Sequence, residues 1–341
     1  MKLSRLPLAL ILASPLAQAE FSNTSYSFFS AGAESVHYSE KIDNFGGIDV
    51  ESDFSALNIV QRSGGYTAID DRFGFFIKTA STLIASEESE DWDADGFSGS
   101  VQQDTAAMNF QMLDINLAYH LGNGGYWLAG VHYQKVSFSR FGWENTDSTD
   151  AFADAVETNM RADTVLVSSV QSILDGEVLD SNGAPLQLID SAGNPITTLD
   201  EYFEAVRYNP EDTLDVVFED ASVFSISGGF EYDSYFANQG QGLRFIAGSK
   251  VSVNIYENLL NSTTGRSLTR SFGGGMNLNL TAGAGYQFTP EIGVMAMFEA
   301  NASWRKKIRE DLNSLEDNRT VELPDNTFYA YALTGTVFWN F

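Results

Sequence analysis

Residues 269–288 read TRSFGGGMNLNLTAGAGYQF, and their hydropathy pattern decides the fold. Every second position from Met276 to Tyr286 is apolar, whereas the positions between them are small or polar. A period of two places alternate side chains on opposite faces of an extended chain. The stretch therefore predicts a β-strand with one apolar face and one polar face.

Nine further segments carry the same alternation, so about ten strands are expected, or twelve if two weak segments are missed. Each is much longer than the usual strand of about 5–6 residues. The nine are 24–39, 50–62, 72–85, 104–120, 126–140, 221–234, 242–256, 292–306 and 327–341.

The connectors between these strands alternate in length. Short ones, such as 121–125 and 289–291, follow the even-numbered strands, and longer ones, such as 86–103 and 141–220, follow most of the odd-numbered strands. This pattern is typical of an all-β, antiparallel up-and-down transmembrane β-barrel, with turns at one end and loops at the other. A soluble β-sandwich or a lipocalin-like barrel is the alternative, and the strand lengths count against both.

The first 19 residues read as a secretory signal peptide. Lys2 and Arg5 precede an apolar run, and Ala17-Gln-Ala19 matches a small-residue cleavage site. The barrel is then expected to occupy 20–341. No later run of about 18 apolar residues predicts a membrane-spanning helix.

The last strand ends Tyr329-Ala-Tyr-Ala-Leu333-Thr-Gly-Thr-Val337-Phe-Trp339-Asn-Phe341. This ending resembles the C-terminal insertion signal of Gram-negative outer-membrane β-barrels, which ends on an aromatic residue after alternating apolar positions. The resemblance makes Trp339 and Phe341 the signal read by the barrel assembly machinery. It also implies the cell outer membrane as location, and outer-membrane lipid and lipopolysaccharide as partners.

The chain carries 46 acidic and 19 basic residues, a formal charge of -27, and no Cys. Disulfides and cysteine-based metal sites are excluded, and a nucleic-acid partner is not expected because phosphate contacts require a basic surface. The acids concentrate in two loops. Seven lie in 86–104 without a base, and eighteen lie in 141–220 against Arg161 and Arg207.

Asp91-Trp-Asp93-Ala-Asp95-Gly96 matches the opening of a calcium-binding loop, in which alternating carboxylates converge on the ion. The twelfth position is Gln102 rather than the bidentate Glu. Calcium is therefore the one cofactor that the sequence suggests, and a solvated acidic loop without a bound ion is the alternative.

The long connector 141–220 is expected to form a partly helical acidic insert in a surface loop. A helix is predicted across about 149–174, with Asp147 or Ser148 as its cap, and Thr198-Leu-Asp-Glu201 forms a capping-box pattern before a short helix. The insert would lie over the barrel mouth or fold into it, and a disordered acidic loop is the alternative.

With the apolar faces turned outward, five charged or titratable side chains point into the barrel: Lys78, Asp114, His132, Lys250 and Glu299. Buried charges are costly unless they are paired, which favours a cross-barrel salt-bridge network. A narrow conductive or binding lumen is the other possibility. A wide diffusion pore is not expected of about ten strands.

The layout of 104–143 and the acidic second loop also resemble the omptin outer-membrane proteases, which use an Asp pair in that region and a His-Asp pair in the fourth loop. Asp91 and Asp93 match the first pair, but the fourth loop, 257–268, contains neither His nor Asp. The length also resembles that of solitary autotransporter-like barrels without a passenger domain.

Only His37, His120 and His132 occur, and none forms a recognised catalytic motif, so no enzyme is predicted. The leading functional hypothesis is an outer-membrane barrel acting as a surface interaction and binding protein, or as a narrow pore, with an unidentified extracellular ligand. The alternatives are an omptin-like protease and an autotransporter-like translocator.

Overall fold

The computed structural model describes residues 25–180, 182–213, 216–237, 242–263, 265–289, 291–313 and 318–340. The predicted signal peptide, 1–19, and the terminal Phe341 lie outside these residues. The described chain is dominated by antiparallel strands. Their bounds are β1 Ser25–Phe45, β2 Ile48–Ala68, β3 Phe73–Ile84, β4 Glu87–Ala94, β5 Gln102–Gly122, β6 Gly125–Asn145, β7 Val216–Asp233, β8 Gly242–Asn261, β9 Arg266–Ser271, β10 Gly275–Gln287, β11 Ile292–Arg305, β12 Ile308–Asn313, β13 Asn318–Leu323 and β14 Asp325–Asn340.

The strands close into a barrel, as the alternation predicted. Neighbours pair in the order β1-β14-β11-β10-β8-β7-β6-β5-β3-β2, and β2 pairs back to β1. The closing seam is long, because β1 pairs with β14 from Tyr26↔Asn340 to Lys41↔Asp325. Closure leaves no unpaired sheet edge toward lipid. The wall has ten strand positions, so the prediction of an antiparallel ten-stranded barrel is confirmed.

Two of the ten wall positions are built from two strands each. β3 and β4 both pair with β2 and β5, at different heights, and Ser86 between them donates its hydroxyl to the Leu57 carbonyl at 2.5 Å. β9 and β10 both pair with β8, and the chain between them passes through Phe272 and Gly273, which have φ of +58° and +75°. The acidic segment 86–104, predicted as a loop, is therefore strand for much of its length.

The outward faces form an apolar belt. Exposed aromatic side chains lie on both sides of it, as membrane girdles do. On the side of the short turns they are Phe73, Tyr119, Trp127, Tyr232, Tyr286 and Trp339, and on the side of the long loops they are Phe224, Tyr256, Phe272 and Trp304. Exposed aliphatic residues such as Val131, Ile226 and Leu280 lie between the two sets. This arrangement, with apolar residues facing outward and polar residues facing inward, is the one expected of a barrel in lipid.

Several strands continue well beyond the belt at the loop end. The expected loop at 40–49 is a turn at Gly46-Gly47, both with positive φ, because β1 and β2 pair almost to their tips. A further hairpin, β12–β13, lies in the last long connector and was not predicted. None of the described helices is long and apolar enough to span a bilayer.

The insert between β6 and β7 contains four short helices: α1 Thr149–Ala162, α2 Thr164–Leu174, α3 Leu199–Ala205 and α4 Pro210–Thr213. The single helix predicted over 149–174 is wrong in one respect, because the chain breaks at Asp163. Its extended backbone ends α1, and its carboxylate accepts hydrogen bonds from the Val165 and Leu166 amides at the start of α2. Thr198 and Glu201 form the predicted capping box.

Candidate functional site

The lumen at the level of the belt is crossed by buried ion pairs. Lys78 Nζ lies 2.6 Å from Glu299 Oε2 on the opposite wall. Arg62 connects the same carboxylate to Glu34, with Nε 3.3 Å from Glu299 and Nη2 2.8 Å from Glu34. Since these residues belong to β1, β2, β3 and β11, the network ties together wall positions that are not neighbours.

A second group lies directly beside the first. Asp114 pairs with Lys250 across the lumen and hydrogen bonds to His132 Nδ1 at 2.7 Å. Asp114 also faces Lys78 in the register of β3 and β5. Four of the five lumen residues expected from the sequence are therefore buried, Lys250 is nearly so, and all five are brought together at one level.

The ion pairs of this layer balance, and a further carboxylate beside them, that of Glu231, accepts a hydrogen bond from the Tyr126 hydroxyl. Arg62, Lys78 and Lys250 face three carboxylates, those of Glu34, Asp114 and Glu299. A cavity of about 70 Å³ remains beside Lys78 and Lys250 and is also lined by Phe28, Phe76 and Met295. That volume holds about five waters, at roughly 10–15 Å³ for each water centre. The layer is a paired cross-brace with a small cavity beside it.

The turn end of the lumen is closed by aromatic rings. A short helix, α5 Ser234–Ala237, turns Tyr235 and Phe236 inward against Tyr26 and Tyr66. Arg244 lies over the rings of Tyr26, Tyr235 and Phe338 and is held by the Asp233 carboxylate, with Nε 3.0 Å from Oδ1. These contacts form a packed plug at the turn end.

Above the ion pairs, toward the loop end, apolar side chains fill the lumen. Phe138 stacks on Tyr38 with ring centroids 4.9 Å apart and meets Phe54 edge to face at 5.4 Å. They belong to a buried cluster that also holds Val36, Ala56, Ala80, Ala106, Met108, Phe110, Met112, Phe328 and Ala330. The lumen is thus filled at three levels: aromatic plug, ion-pair layer and apolar cluster.

A second buried ion cluster lies beyond the belt, under the loop end. Arg140 contacts Glu90 through Nε at 2.6 Å and Glu40 through Nη2 at 3.0 Å. Arg305 contacts Glu219 at 3.0 Å. Asp104 accepts a hydrogen bond from Trp92 Nε1 at 2.8 Å. Four carboxylates therefore accompany two guanidinium groups, so this cluster has more acids than bases.

Asp104 takes up part of that excess by holding a proton. Burial and, to a smaller extent, the neighbouring Glu90 carboxylate raise the pKa of Asp104 to about 8. A carboxyl group that is neutral near pH 7 removes one of the two surplus charges. The cluster is thus compatible with a buried position without a bound cation.

The insert covers this cluster. Phe152 and Val156 of α1 are buried in an apolar cluster with Val50, Trp92, Val101, Trp143 and Val217 at the loop end. Asn159 Nδ2 donates to the Gly46 carbonyl at 2.9 Å, and Thr149 Oγ1 donates to the Val101 carbonyl at 2.7 Å. Tyr208 hydrogen bonds to Gln102. Of the two expected placements, the insert has the first: it lies over the mouth rather than inside the barrel.

The three carboxylates of the suggested calcium loop do not lie together in a loop. Asp91 and Asp93 are exposed on the outer face of β4, where Asp91 Oδ1 accepts a hydrogen bond from Gln103 at 2.6 Å. Asp95 follows in the turn. Among the described residues no group of three His, Cys, Asp or Glu side chains could hold a metal ion. Calcium binding at Asp91, Asp93 and Asp95 stays a prediction from the sequence.

None of the three His side chains lies beside Asp91 or Asp93. His132 is in the lumen layer, and His120 is at the turn end, where Nε2 lies 2.5 Å from the Tyr66 hydroxyl. His37 lies on the outer face, with Nδ1 3.2 Å from Asp53 and 2.9 Å from Ser55 Oγ. Both contacts use the same nitrogen, whereas a Ser-His-Asp triad needs one on each ring nitrogen.

Within the predicted insertion signal, Trp339 is exposed on the outer face of β14, opposite Ser27 and Ile292. That position is at the turn-side edge of the belt. Phe341 lies outside the described residues.

Several buried charges were not predicted from the sequence, among them Glu34, Arg62, Arg140 and Glu219. Each occupies a position in register with the inward face of its strand. The first three lie within predicted strands, and the period of two places them on the inward faces; Glu219 lies two residues before its predicted strand on the same face. Their opposite signs indicate pairing.

No protein-family model matches the chain, and no curated protein matches it in sequence. Among solved structures, it is similar to the outer-membrane protease OmpT from Escherichia coli, with a TM-score of 0.54, 10% identity and coverage of 95% of this chain and 98% of that chain. It is also matched to the translocator domain of the autotransporter NalP from Neisseria meningitidis, with a TM-score of 0.33, 9% identity and coverage of 92% and 88%. At such identities the likeness shows the fold alone: the chain has the fold of Gram-negative outer-membrane β-barrels.

Proposed function

We propose that this outer-membrane barrel is a surface binding protein that does not conduct solutes and whose acidic insert engages cationic partners. The observation that carries the proposal is the filled lumen. Ion pairs such as Lys78–Glu299 cross it at the belt, and Phe236 and its neighbours close the turn end. A barrel whose lumen is filled with side chains does not act as a pore, so we assign the binding function to the insert that covers its mouth.

The charge of the insert indicates the class of partner. Residues 141–220 carry eighteen acids and two bases, and Arg161 and Arg207 are both engaged by insert carboxylates. Such a surface attracts cations over about a Debye length and repels the anionic groups of lipopolysaccharide. A basic peptide or protein region is therefore the partner that this surface favours.

Conductance tests the first half of the proposal. The refolded barrel in a planar lipid bilayer should carry no steady current above that of the bare bilayer. A stable ohmic current that depends on folded protein would reject the closed lumen and support the narrow-pore hypothesis.

Binding tests the second half. Titration of the refolded full-length protein with polylysine at low salt should give saturable binding that weakens as salt is added. Neutralising three exposed insert acids, Asp147→Asn with Glu177→Gln and Glu204→Gln, should weaken it several-fold. The matched control neutralises three acids of the other loop, Glu87→Gln with Glu88→Gln and Asp95→Asn, and should change it less. Equal losses of affinity in both triple variants would show that binding depends on the overall negative charge of the chain and not on the insert.

Proteolysis is the competing proposal, and the fold shared with OmpT is the one observation in its favour. The positions of His37, His120 and His132 do not support it, because none faces a carboxylate pair in a cleft at the loop end. Incubation of the refolded protein with a dibasic peptide should leave the peptide intact. Cleavage that is retained after removal of trace proteases would favour the protease instead.

A further inference from the structure

The insert contains a repeat of ten residues. Residues 178–186 read VLDSNGAPL, and residues 188–196 read LIDSAGNPI. Asp, Ser, Gly and Pro recur at equivalent positions, and the remaining matched positions include three aliphatic pairs. We call these segments the tandem hairpins.

The two copies fold in the same way. Asp180 Oδ1 accepts hydrogen bonds from the amides of Asn182 and Ala184, both at 2.8 Å. Asp190 Oδ1 accepts those of Ala192 and Asn194, at 2.9 and 2.7 Å. Each copy is then closed by a backbone bond between its ends, Leu186 to Val178 at 2.8 Å and Ile196 to Leu188 at 2.9 Å.

These bonds make each hairpin a defined unit rather than an open loop. Gly183 and Gly193 both have positive φ, +81° and +85°, which only glycine adopts readily. Hydrogen bonds from backbone amides lower the pKa of Asp180, and those from the Asn194 side chain and backbone lower the pKa of Asp190. Both carboxylates therefore remain ionised, and both turns remain capped, at any ordinary pH.

Each hairpin presents an aliphatic side chain to solvent at the same place. Leu179 is 59% exposed and Ile189 is 63% exposed, and each is bridged to the equivalent proline, Pro185 or Pro195. Leu186 is also exposed. Nothing in the described part of the chain covers these side chains. An apolar side chain exposed at the same place in both copies of a repeat, on a polar surface, is the feature expected of an interaction site.

The surroundings of the tandem hairpins specify the charge of the partner. Residues 162–206 contain eight acids and no Lys or Arg. An apolar partner without charge would gain nothing from this field, and an anionic one would be repelled. The complementary partner has a face of apolar side chains and an excess of positive charge.

We infer that the tandem hairpins dock a cationic amphipathic peptide segment, with Leu179 and Ile189 as two equivalent contacts on its apolar face. The inference rests on the proposed function, and it names the residues and the kind of partner. Because the same contact is presented twice, each hairpin supplies part of the binding energy, and a peptide with two apolar positions in reach gains from both.

The test uses the refolded full-length protein and two synthetic peptides of identical Lys and Leu composition, one amphipathic as a helix and one scrambled. The wild type should bind the amphipathic peptide at least about tenfold more tightly, because only that peptide offers an apolar face. The double variant Leu179→Ser/Ile189→Ser should lose this preference and keep its affinity for the scrambled peptide. Each single variant should lose part of it.

Val165→Ser is the matched control, because Val165 is 73% exposed on α2 but lies outside the repeat. It should keep the preference. Unchanged heat-modifiable gel mobility would establish that all variants form the barrel. A preference that survives in the double variant overturns the inference while leaving the proposed function intact. Failure of the wild type to bind either peptide overturns the proposed function itself.

Discussion

The lumen at the belt and the insert at the loop end both carry many ionised side chains, but they neutralise them differently. In the lumen, Glu299 lies against Lys78 and Arg62, and three carboxylates face three cations in all. On the insert, most of the described acids have no ion-pair partner, since the insert itself supplies only Arg161 and Arg207. Charges taken out of water must be paired by the protein, whereas water stabilises exposed charges. The paired charges therefore hold the barrel together, whereas the unpaired ones remain exposed to solvent.

The largest effect is expected from breaking the lumen layer. Glu299→Ala leaves Lys78 without its ion partner and removes one of the two partners of Arg62, which should cost about 3–5 kcal/mol of unfolding free energy. Urea unfolding of the refolded barrel measures it, and the exposed Glu177→Ala on the insert is the control, with no measurable change expected.

The double variant Lys78→Met/Glu299→Met separates the cost of an unpaired buried charge from the loss of the ion pair itself. It removes both charges together, so it should be more stable than Glu299→Ala. If Glu299→Ala and Glu177→Ala destabilise the barrel equally, the distinction between paired and solvated charges is wrong.

The next-largest effect is expected from placing a charge on the lipid-facing side of the barrel wall rather than on its lumen side. Ala296 is exposed on the belt, and Asn279 lines the lumen cavity. Ala296→Arg should cost about 2–4 kcal/mol because a charge near the bilayer midplane is costly. Asn279→Arg should cost less in a refolding titration into lipid. Equal or reversed costs would show that the outward and inward assignments of β10 and β11 are wrong.

A smaller effect is expected at the loop-end cluster and depends on pH. Asp104 keeps its proton in the folded state up to about pH 8, whereas the unfolded carboxyl loses it near its ordinary pKa of 3.8. Between these values the unfolded state binds fewer protons, so stability should fall as pH rises. Asp104→Asn should remove about 1 kcal/mol or more of that fall between pH 5 and pH 8.

Denaturation midpoints at the two pH values measure this effect, with the exposed Asp147→Asn as the control. A pH dependence that is the same in Asp104→Asn and the wild type would contradict the protonated carboxyl.

The smallest effect is expected from divalent cations. Since Asp91 and Asp93 lie exposed on β4, calcium and magnesium should give similar, weak and non-saturating heats in calorimetry, and Asp93→Asn should change them little. A saturable calcium signal that disappears in Asp93→Asn would instead establish the calcium site suggested by the sequence.

The membrane part of the fold was predictable from the sequence, and the part beyond it was less so. Within the belt one face meets lipid and the other meets polar side chains, so 269–288 alternates clearly and its strand was expected. Beyond the belt both faces meet water or other protein. Segments such as Ser39-Glu-Lys41 therefore carry no clear alternation in hydropathy, and the end of β1 beyond residue 39 and the first two residues of β2 were expected to be loop.

The candidate site shows the same division. Lys78, Asp114, His132, Lys250 and Glu299 were recognisable as inward because they interrupt alternating apolar strands. Phe152 covers the barrel mouth through contacts with segments that are distant in the sequence, and the local hydropathy pattern does not reveal such contacts. The repeat at 178–196 was readable in the sequence, since two Asp-Ser-x-Gly-x-Pro runs lie ten residues apart, but it has meaning only once both copies are seen to be exposed.

The length of the strands determines how far the insert reaches. β1 and β2 have 21 residues each, which at about 3.3 Å per residue and a tilt of about 40° gives a wall roughly 50 Å high. The apolar belt of such barrels is about 25 Å tall. With only short turns on one side, most of the remaining height, about 20 Å, lies on the loop side. The wall thus raises the barrel mouth, and the α1 helix that covers it, about 20 Å beyond the apolar belt and past the layer of lipid headgroups.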